Sequence, residues 1–405
     1  MIMNGIKMIR LAVLLLSLCL LATSFSGCGI VEAVKDIVVN ETADWDEILF
    51  NEGLLAVKDG DLYGYVNTKG EFAIEPAYDF ASNFSDNGLA RVKLNGKWGY
   101  INTKGKMVID CQFDSAGSFM KRDYALVEID GKWGTIDKRG RFIIEPQFNS
   151  LNIFAKNGLA LAQLDGLYGF VNSNGEFVIP PAYQSGKGFS ENGLAAVCEN
   201  GQWGFIDKDG AYVIPPSFDG VDGFEGNVAG VQKDGKWGYI KSDGSWVIEP
   251  TYDSIYNMTN GYAVVEQNGE YGYINEDCEE ILSPRYVWCS AFSECGLAFV
   301  KMGGRYGVIN TKGELVVNPL YDNGKRFSSN GYAFVAKDGE YGYIDDTGKI
   351  VIDFQFDKAS LFFADGYALV KMGNKYGVIN EEGTYVVPPT LDGVEATREK
   401  NGFLS

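Results

Sequence analysis

Through most of the chain, short runs of alternating apolar and polar residues are cut by glycine-bearing turns. Residues 87–94, Asn-Gly-Leu-Ala-Arg-Val-Lys-Leu, put Ala90, Val92 and Leu94 on one side of an extended strand. Asn95-Gly96 follows, the dipeptide preferred in a two-residue type I′ hairpin because both central residues take positive φ. Residues 97–102, Lys-Trp-Gly-Tyr-Ile-Asn, read as the return strand. Thr103-Lys104-Gly105 makes a second turn, residues 106–109 a third strand, residues 110–114 a loop, and Phe119 a later apolar plug. The pattern predicts three short antiparallel strands, a β-meander.

The same grammar recurs along the chain. An aromatic-glycine dipeptide occurs at Tyr63, Trp98, Trp133, Tyr168, Trp203, Trp237, Tyr271, Tyr306, Tyr341 and Tyr376, each followed by glycine, at spacings of 35 residues with two of 34. Asp130-Gly131, Asp165-Gly166, Asn200-Gly201 and Asp338-Gly339 repeat the hairpin signal, and Gly70, Gly105, Gly140 and Gly175 begin a second glycine series. Third strands are expected to stop at Glu75-Pro76, Glu145-Pro146 and Glu249-Pro250, because proline lacks the ladder donor. A period in this range marks a solenoid, a propeller or an array, in which each unit buries its apolar face only against neighbours.

Three copies, Gly96-Lys97-Trp98-Gly99, Gly131-Lys132-Trp133-Gly134 and Gly235-Lys236-Trp237-Gly238, resemble the bacterial WG-containing repeat, also written KWG. The resemblance implies an exported or surface-anchored interaction module and brings no catalytic residues with it. The expected fold is all-β, a tandem array of about ten three-stranded repeats. Ten copies exceed the usual ~4–8 blades of a closed propeller, so an open β-solenoid or superhelix is favoured and a closed propeller-like ring is the runner-up. The expected organisation is a signal peptide over residues 1–27, a lipid-anchored tether over 28–49, the repeat array over 50–392, and a truncated terminal repeat over 393–405.

The N-terminal reading rests on Lys7 and Arg10, the apolar run at residues 11–22, and small residues before Cys28. Phe25-Ser26-Gly27-Cys28 resembles the bacterial lipobox, which implies that Cys28 is lipidated and that membrane contact is through that anchor only. The expected location is outside the cytoplasm, on the cell membrane or the outer membrane. The tether would hold Asn40-Glu41-Thr42 and nearby acids and valines.

Composition narrows the chemistry. The chain of 405 residues has 51 glycines, 35 basic against 54 acidic residues, and no histidine. Histidine-based triads, histidine zinc sites and histidine pH switches are thereby excluded. A net charge of −19 argues against nucleic-acid partners, which need a basic footprint. No CxxC or calcium-loop pattern is present, so neither a metal nor a cofactor is expected. Cys289 and Cys295 are the one pair close enough in sequence to suggest a local bridge.

Two series of residues invite a functional reading. The aromatic of each dipeptide is expected to pack between repeats. The residue two positions later varies between Tyr100, Phe170, Thr135 and Val308, which leaves two readings open: half-buried strand packing, the favoured one, and part-exposed rings able to stack on glycan or peptide. One copy departs from the pattern, with Cys278 at the turn glycine, and supplies Arg285 and Trp288 as candidate ligand-binding residues. The expected function is a non-catalytic, surface-tethered binding or scaffolding module of the cell envelope with a protein or glycan ligand. The alternative is a carboxylate-based hydrolase of envelope polymers.

Overall fold

The computed structural model describes residues 49–120 and 123–394. Cys28, the signal segment, residues 28–48 of the tether and residues 395–405 of the terminal repeat lie outside the described residues. The described chain is entirely β: ten four-stranded antiparallel sheets arranged as a closed ten-bladed propeller. Blades are numbered here by their aromatic-glycine dipeptides, Tyr63 in blade 1 to Tyr376 in blade 10.

Blade 2 shows the plan. Its strands are Phe80–Ala81, Leu89–Leu94, Lys97–Asn102 and Met107–Phe113, paired in that order. The sequence shows the last three; the first is the surprise. Its two residues pair with the second strand as Phe80↔Lys93 and Ala81↔Val92. This strand occupies the stretch between one repeat and the next that reads as loop, because two residues are too few to show a period.

The fourth strand also differs from expectation. Phe72–Tyr78 of blade 1 runs straight through Glu75-Pro76, and the ladder is preserved by a bulge: Tyr65 pairs with Ile74, then Tyr63 with Tyr78. Proline sits at the bulge, where no donor is needed. The bulged backbone folds down over the glycine of the dipeptide. A Cβ on Gly64 would lie 2.6 Å from the Ile74 carbonyl oxygen and 2.7 Å from the Pro76 nitrogen. The corresponding glycine of every other blade has a fourth-strand carbonyl oxygen equally close. The dipeptide glycine is therefore fixed by a backbone approach that no side chain permits.

Each third strand serves two neighbours because its residues alternate sides. Tyr100 packs towards blade 3, in a cluster with Ala116, Phe119 and Ile136. The next residue, Ile101, packs back against blade 1, in a cluster with Tyr65, Ile74 and Tyr78. No blade has a core of its own. The second glycine series tightens the same seams. Gly105 has φ +74°, and a Cβ there would meet Ile74 of the preceding blade at 3.2 Å; Gly140 stands likewise over Ile109.

The array closes on itself. The first strand of blade 1 is Gly393–Val394, which pairs with Lys58 and Val57 from the start of the array. Asp392 accepts from the Gly60 amide at 2.9 Å, and Gly70 packs on Val387 of blade 10. Phe50 lies edge-on to Tyr367 at 5.1 Å, with its amide donating to the Asp365 carboxylate. The closed ring, the runner-up architecture, is thus the fold, and the preference for an open solenoid is corrected. Blade count alone was a poor guide, since closure depends on the small rotation at each seam.

Candidate functional site

In an antiparallel blade the links between strands one and two, and between three and four, emerge at one end. The hairpin turn and the link to the next blade emerge at the other. The propeller therefore has two loop faces built from different parts of the repeat.

The hairpin face is regular and internally satisfied. Asn95 and Gly96 both have positive φ, at 52° and 79°, as a type I′ turn demands. The acid that links blades reaches into the next hairpin: Asp114 accepts from the Asp130 amide at 2.9 Å, and Asp253 from the Asn268 amide at 2.7 Å. A lysine just before the dipeptide supplies the counter-charge, as in Lys97–Asp114 and Lys236–Asp253, with Lys375–Asp392 at 2.5 Å. Hydrogen bonding from these lysines holds Asp114, Asp253 and Asp392 below the ordinary carboxylate range. A depressed folded-state pKa contributes stability above the unfolded value of ~3.9 and loses it as pH falls through the folded one. Chemical denaturation against pH is expected to show stability falling below about pH 4. In a Lys97→Met, Lys236→Met, Lys375→Met variant that fall should be shallower; an unchanged slope would show that these pairs have no such role.

The opposite face carries the variation. Lys104, Lys106, Arg139 and Arg141 stand exposed on the turns of blades 2 and 3, whereas Asp243, Glu276, Asp277 and Glu279 stand exposed on those of blades 6 and 7. Among the described residues no group of three or more Cys, Asp or Glu side chains is arranged to hold a metal. An open cavity of about 390 Å³ lies between blades 9 and 10, lined by Asn330, Asp365, Tyr367, Glu381 and Glu382. Two of its acids are already engaged, Glu381 by the Asn330 amide at 2.7 Å and Asp365 by the Phe50 backbone.

Of the two readings of the position two after the aromatic, packing is the one observed, and an exposed aromatic ladder is not found among these rings. Tyr65, Tyr100, Tyr273 and Tyr343 are fully buried, as are Phe170 and Phe205, and each rests on an aromatic ring 19 residues later; Tyr100–Phe119 is at 4.8 Å. The Tyr100 hydroxyl donates to the Gly117 carbonyl at 2.6 Å, and Tyr65, Tyr273 and Tyr343 make the same bond. Tolerance of Thr135 reflects compensation, not exposure: Tyr124 supplies the ring against Phe154, and its hydroxyl accepts from the Phe154 amide. The dipeptide aromatics are the less buried series. They lie half-buried against the seam clusters, with Trp98 and Tyr376 fully buried. Phe205→Ala is accordingly expected to cost about 3–5 kcal/mol in urea unfolding. Trp203→Ala should cost only about 1–2 kcal/mol, since its ring keeps part of its water contact. Equal losses would contradict this ranking.

Arg285 and Trp288 are neighbours in sequence but belong to different blades. Arg285 is exposed on the fourth strand of blade 7, stacked over the Tyr286 ring at 5.1 Å. Trp288 lies half-buried in the first strand of blade 8, edge-on to Tyr306 at 5.4 Å. Cys278 keeps the turn intact by itself adopting φ 61°. Cys289 is buried, Cys295 is exposed, and both thiols are free, so the suggested local bridge is not formed. The copy that departs in sequence is thus regular in structure.

The real departure is one seam earlier. Blade 6 opens with a six-residue first strand, Gly220–Glu225, and Gly230 stands where blade 2 has Arg91. Met258 replaces the plug phenylalanine of the next seam. There the Tyr239 hydroxyl, buried with its ring only 4% exposed, has no hydrogen-bond partner among the described residues. A signal was available: the two 34-residue spacings flank this copy.

Comparison with solved structures finds a chain described as the eukaryotic initiation factor, with a TM-score of 0.51 and 12% identity over 86% of this chain and 98% of that one. Also similar are Kluyveromyces lactis Hsv2p, with a TM-score of 0.29 and 8% identity over 67% and 96% of the two chains, and PorZ of Porphyromonas gingivalis, with a TM-score of 0.28 and 13% identity over 76% and 51%. PorZ is described as a bacterial surface component of the type-IX secretion system. A comparison with curated proteins finds no match. The family described as WG containing repeat matches ten consecutive segments, from 63–98 to 376–403. Those segments start at the ten dipeptide aromatics that define the blades, and the chain belongs to the WG-containing repeat family.

Proposed function

We propose that this propeller is a non-catalytic binding or scaffolding module of the bacterial cell envelope. In this reading it is exported behind residues 1–27 and tethered by lipid on Cys28, and it presents a loop face to a protein or glycan. The observation that carries the reading is the division of labour within the repeat. Positions that recur in every blade go to seams, bulges and hairpin turns, while exposed turn residues of the opposite face vary, basic in blades 2–3 and mainly acidic in blades 6–7. Repeat proteins place specificity in such variable exposed positions. The hydrolase alternative would need its carboxylates free in a cleft. In the cavity between blades 9 and 10 one oxygen of each of two acids is already engaged, Glu381 Oε1 by the Asn330 amide and Asp365 Oδ2 by the Phe50 amide, which weighs against that alternative.

The full chain, cross-linked in envelope extract and assayed on a glycan panel, should capture a saturable ligand. A Lys104→Gln, Lys106→Gln, Arg139→Gln variant, or one neutralising Asp243, Glu276 and Asp277, should lose it at least tenfold with its melting profile intact. Ligand binding by both variants at wild-type affinity would place recognition elsewhere and defeat the proposal. Metabolic labelling with an alkyne fatty acid should mark the wild type and not Cys28→Ser; equal labelling would remove the lipid anchor from the reading.

A further inference from the structure

Among the buried tyrosines two after the dipeptide, Tyr239 breaks the rule that the hydroxyl is satisfied by a carbonyl across the seam. Tyr65, Tyr100, Tyr273 and Tyr343 each donate to the residue 17 positions on. For Tyr239 that residue is Tyr256, and the bond is not made. A buried, unbonded hydroxyl is costly by ~1–3 kcal/mol. The space beside it is a cavity of about 20 Å³ between blades 6 and 7, lined by Asp222, Glu225, Tyr239, Asn257 and Met258. That volume admits one water or one small ion.

The cavity is built by three local changes. Gly230 removes a side chain, and Ile255 moves into the gap, its Cδ1 standing 2.2 Å from where a Cβ would be. Met258 takes the place of an aromatic plug. The lengthened first strand of blade 6 brings two acids to the rim. Asp222 divides its carboxylate: Oδ1 pairs with Lys187 at 3.2 Å, while Oδ2 stands 3.4 Å from where a Gly230 Cβ would be, in the lining of the cavity. Glu225 accepts from the Met258 amide, and burial raises its carboxyl above the usual range. Burial likewise raises Tyr239, with both acids adding to the effect.

We infer that this seam is a calcium site, with Asp222 and Glu225 as anionic ligands, Tyr239 and Asn257 as neutral oxygen donors, and water completing the shell from the open rim. The donor set is all oxygen, which suits a hard cation and not zinc or copper. Calcium tolerates irregular geometry and six to eight ligands, whereas magnesium demands a near-ideal octahedron. Two carboxylates, one shared with a lysine, place the affinity in the weak class of extracellular modules, Kd ~0.1–1 mM. The inference stands apart from the proposed envelope function, since a cation at this seam needs no partner.

The test is calorimetry and thermal denaturation of the chelator-stripped full chain with calcium chloride. One equivalent should bind in the stated range, at least tenfold tighter than magnesium, and raise the melting temperature. Asp222→Asn with Glu225→Gln should weaken binding at least tenfold, and Tyr239→Phe several-fold while stabilising the calcium-free protein. Lys187→Met, which frees Asp222 from its competitor, should tighten binding, an outcome that a merely structural pair would not produce. No heat and no thermal shift in the wild type up to about 10 mM calcium, ten times the weakest affinity expected, would mean that the cavity holds water only. Binding unchanged in the double variant would place the ion elsewhere; either result overturns the inference.

Discussion

Replacing Gly204 with alanine is expected to remove at least 4 kcal/mol of stability, the range reserved for changes that the backbone cannot absorb. The new Cβ would sit 2.6 Å from the Ile214 carbonyl oxygen, 2.7 Å from the Pro216 nitrogen and 2.9 Å from the Pro215 carbonyl carbon. All three are main-chain atoms of the bulged fourth strand, so no rotamer change relieves the clash. The strand must lift off, taking with it Phe218, which packs in the seam to blade 6. Two other glycines in the same blade calibrate the result. Gly201, at φ +78° with open space around it, should cost about 1 kcal/mol as alanine, from backbone strain alone. Gly188 has neither positive φ nor a neighbour within 4 Å, and its alanine should be neutral or slightly stabilising. Urea midpoints for the three variants decide the matter. If Gly204→Ala unfolds within 1 kcal/mol of Gly201→Ala, the bulge does not fix the dipeptide glycine.

Val394→Asp should be the second large loss, about 3–5 kcal/mol, because it puts a carboxylate into a dry seam with no cation opposite. Val394 is 2% exposed and pairs directly with Val57. Forcing that strand out leaves blade 1 with three strands and a bare edge, Leu54–Asp59, which is a template for another chain. The variant should therefore also self-associate as concentration rises, seen by light scattering on a sizing column. Val351→Asp, at a surface position of blade 9, serves as the control and should change neither property. A Val394→Asp protein that stays monomeric with wild-type stability would show that closure does not depend on this strand.

The repeat, its turns and its two glycine series were legible in the sequence because each has a local signature: a dipeptide, a φ requirement, a strict spacing. The two-residue first strand had none. Nor did the bulge, since Glu-Pro reads equally as a strand end and as an interruption that the strand survives. Ring closure is a sum of ten small rotations, and no residue announces it. The alternative of exposed rings two after the aromatic was left open by residues such as Thr135. Thr135 looks permissive only until Tyr124 is seen filling the same space from the neighbouring strand. At the candidate site, Arg285 and Trp288 stood out by residue type, and the structure sets them on different blades, Arg285 exposed and Trp288 half-buried against Tyr306. The irregular seam was marked more quietly, by a missing residue on either side of Trp237 and by Gly230 where bulkier residues stand in most blades.

Because blade 1 takes its first strand from residues 393–394 and the rest from residues 54–78, both ends of the array meet in one sheet. A tension applied between those ends is borne first by the closure contacts, the Phe50–Asp365 and Gly60–Asp392 hydrogen bonds and the short Val57–Val394 and Lys58–Gly393 contact. Those contacts act as a mechanical fuse. Once they part, the blades are loaded in series and each can pay out its chain separately. Force spectroscopy would then record rupture steps of nearly equal length, about 120 Å for each repeat of 35 residues at full extension.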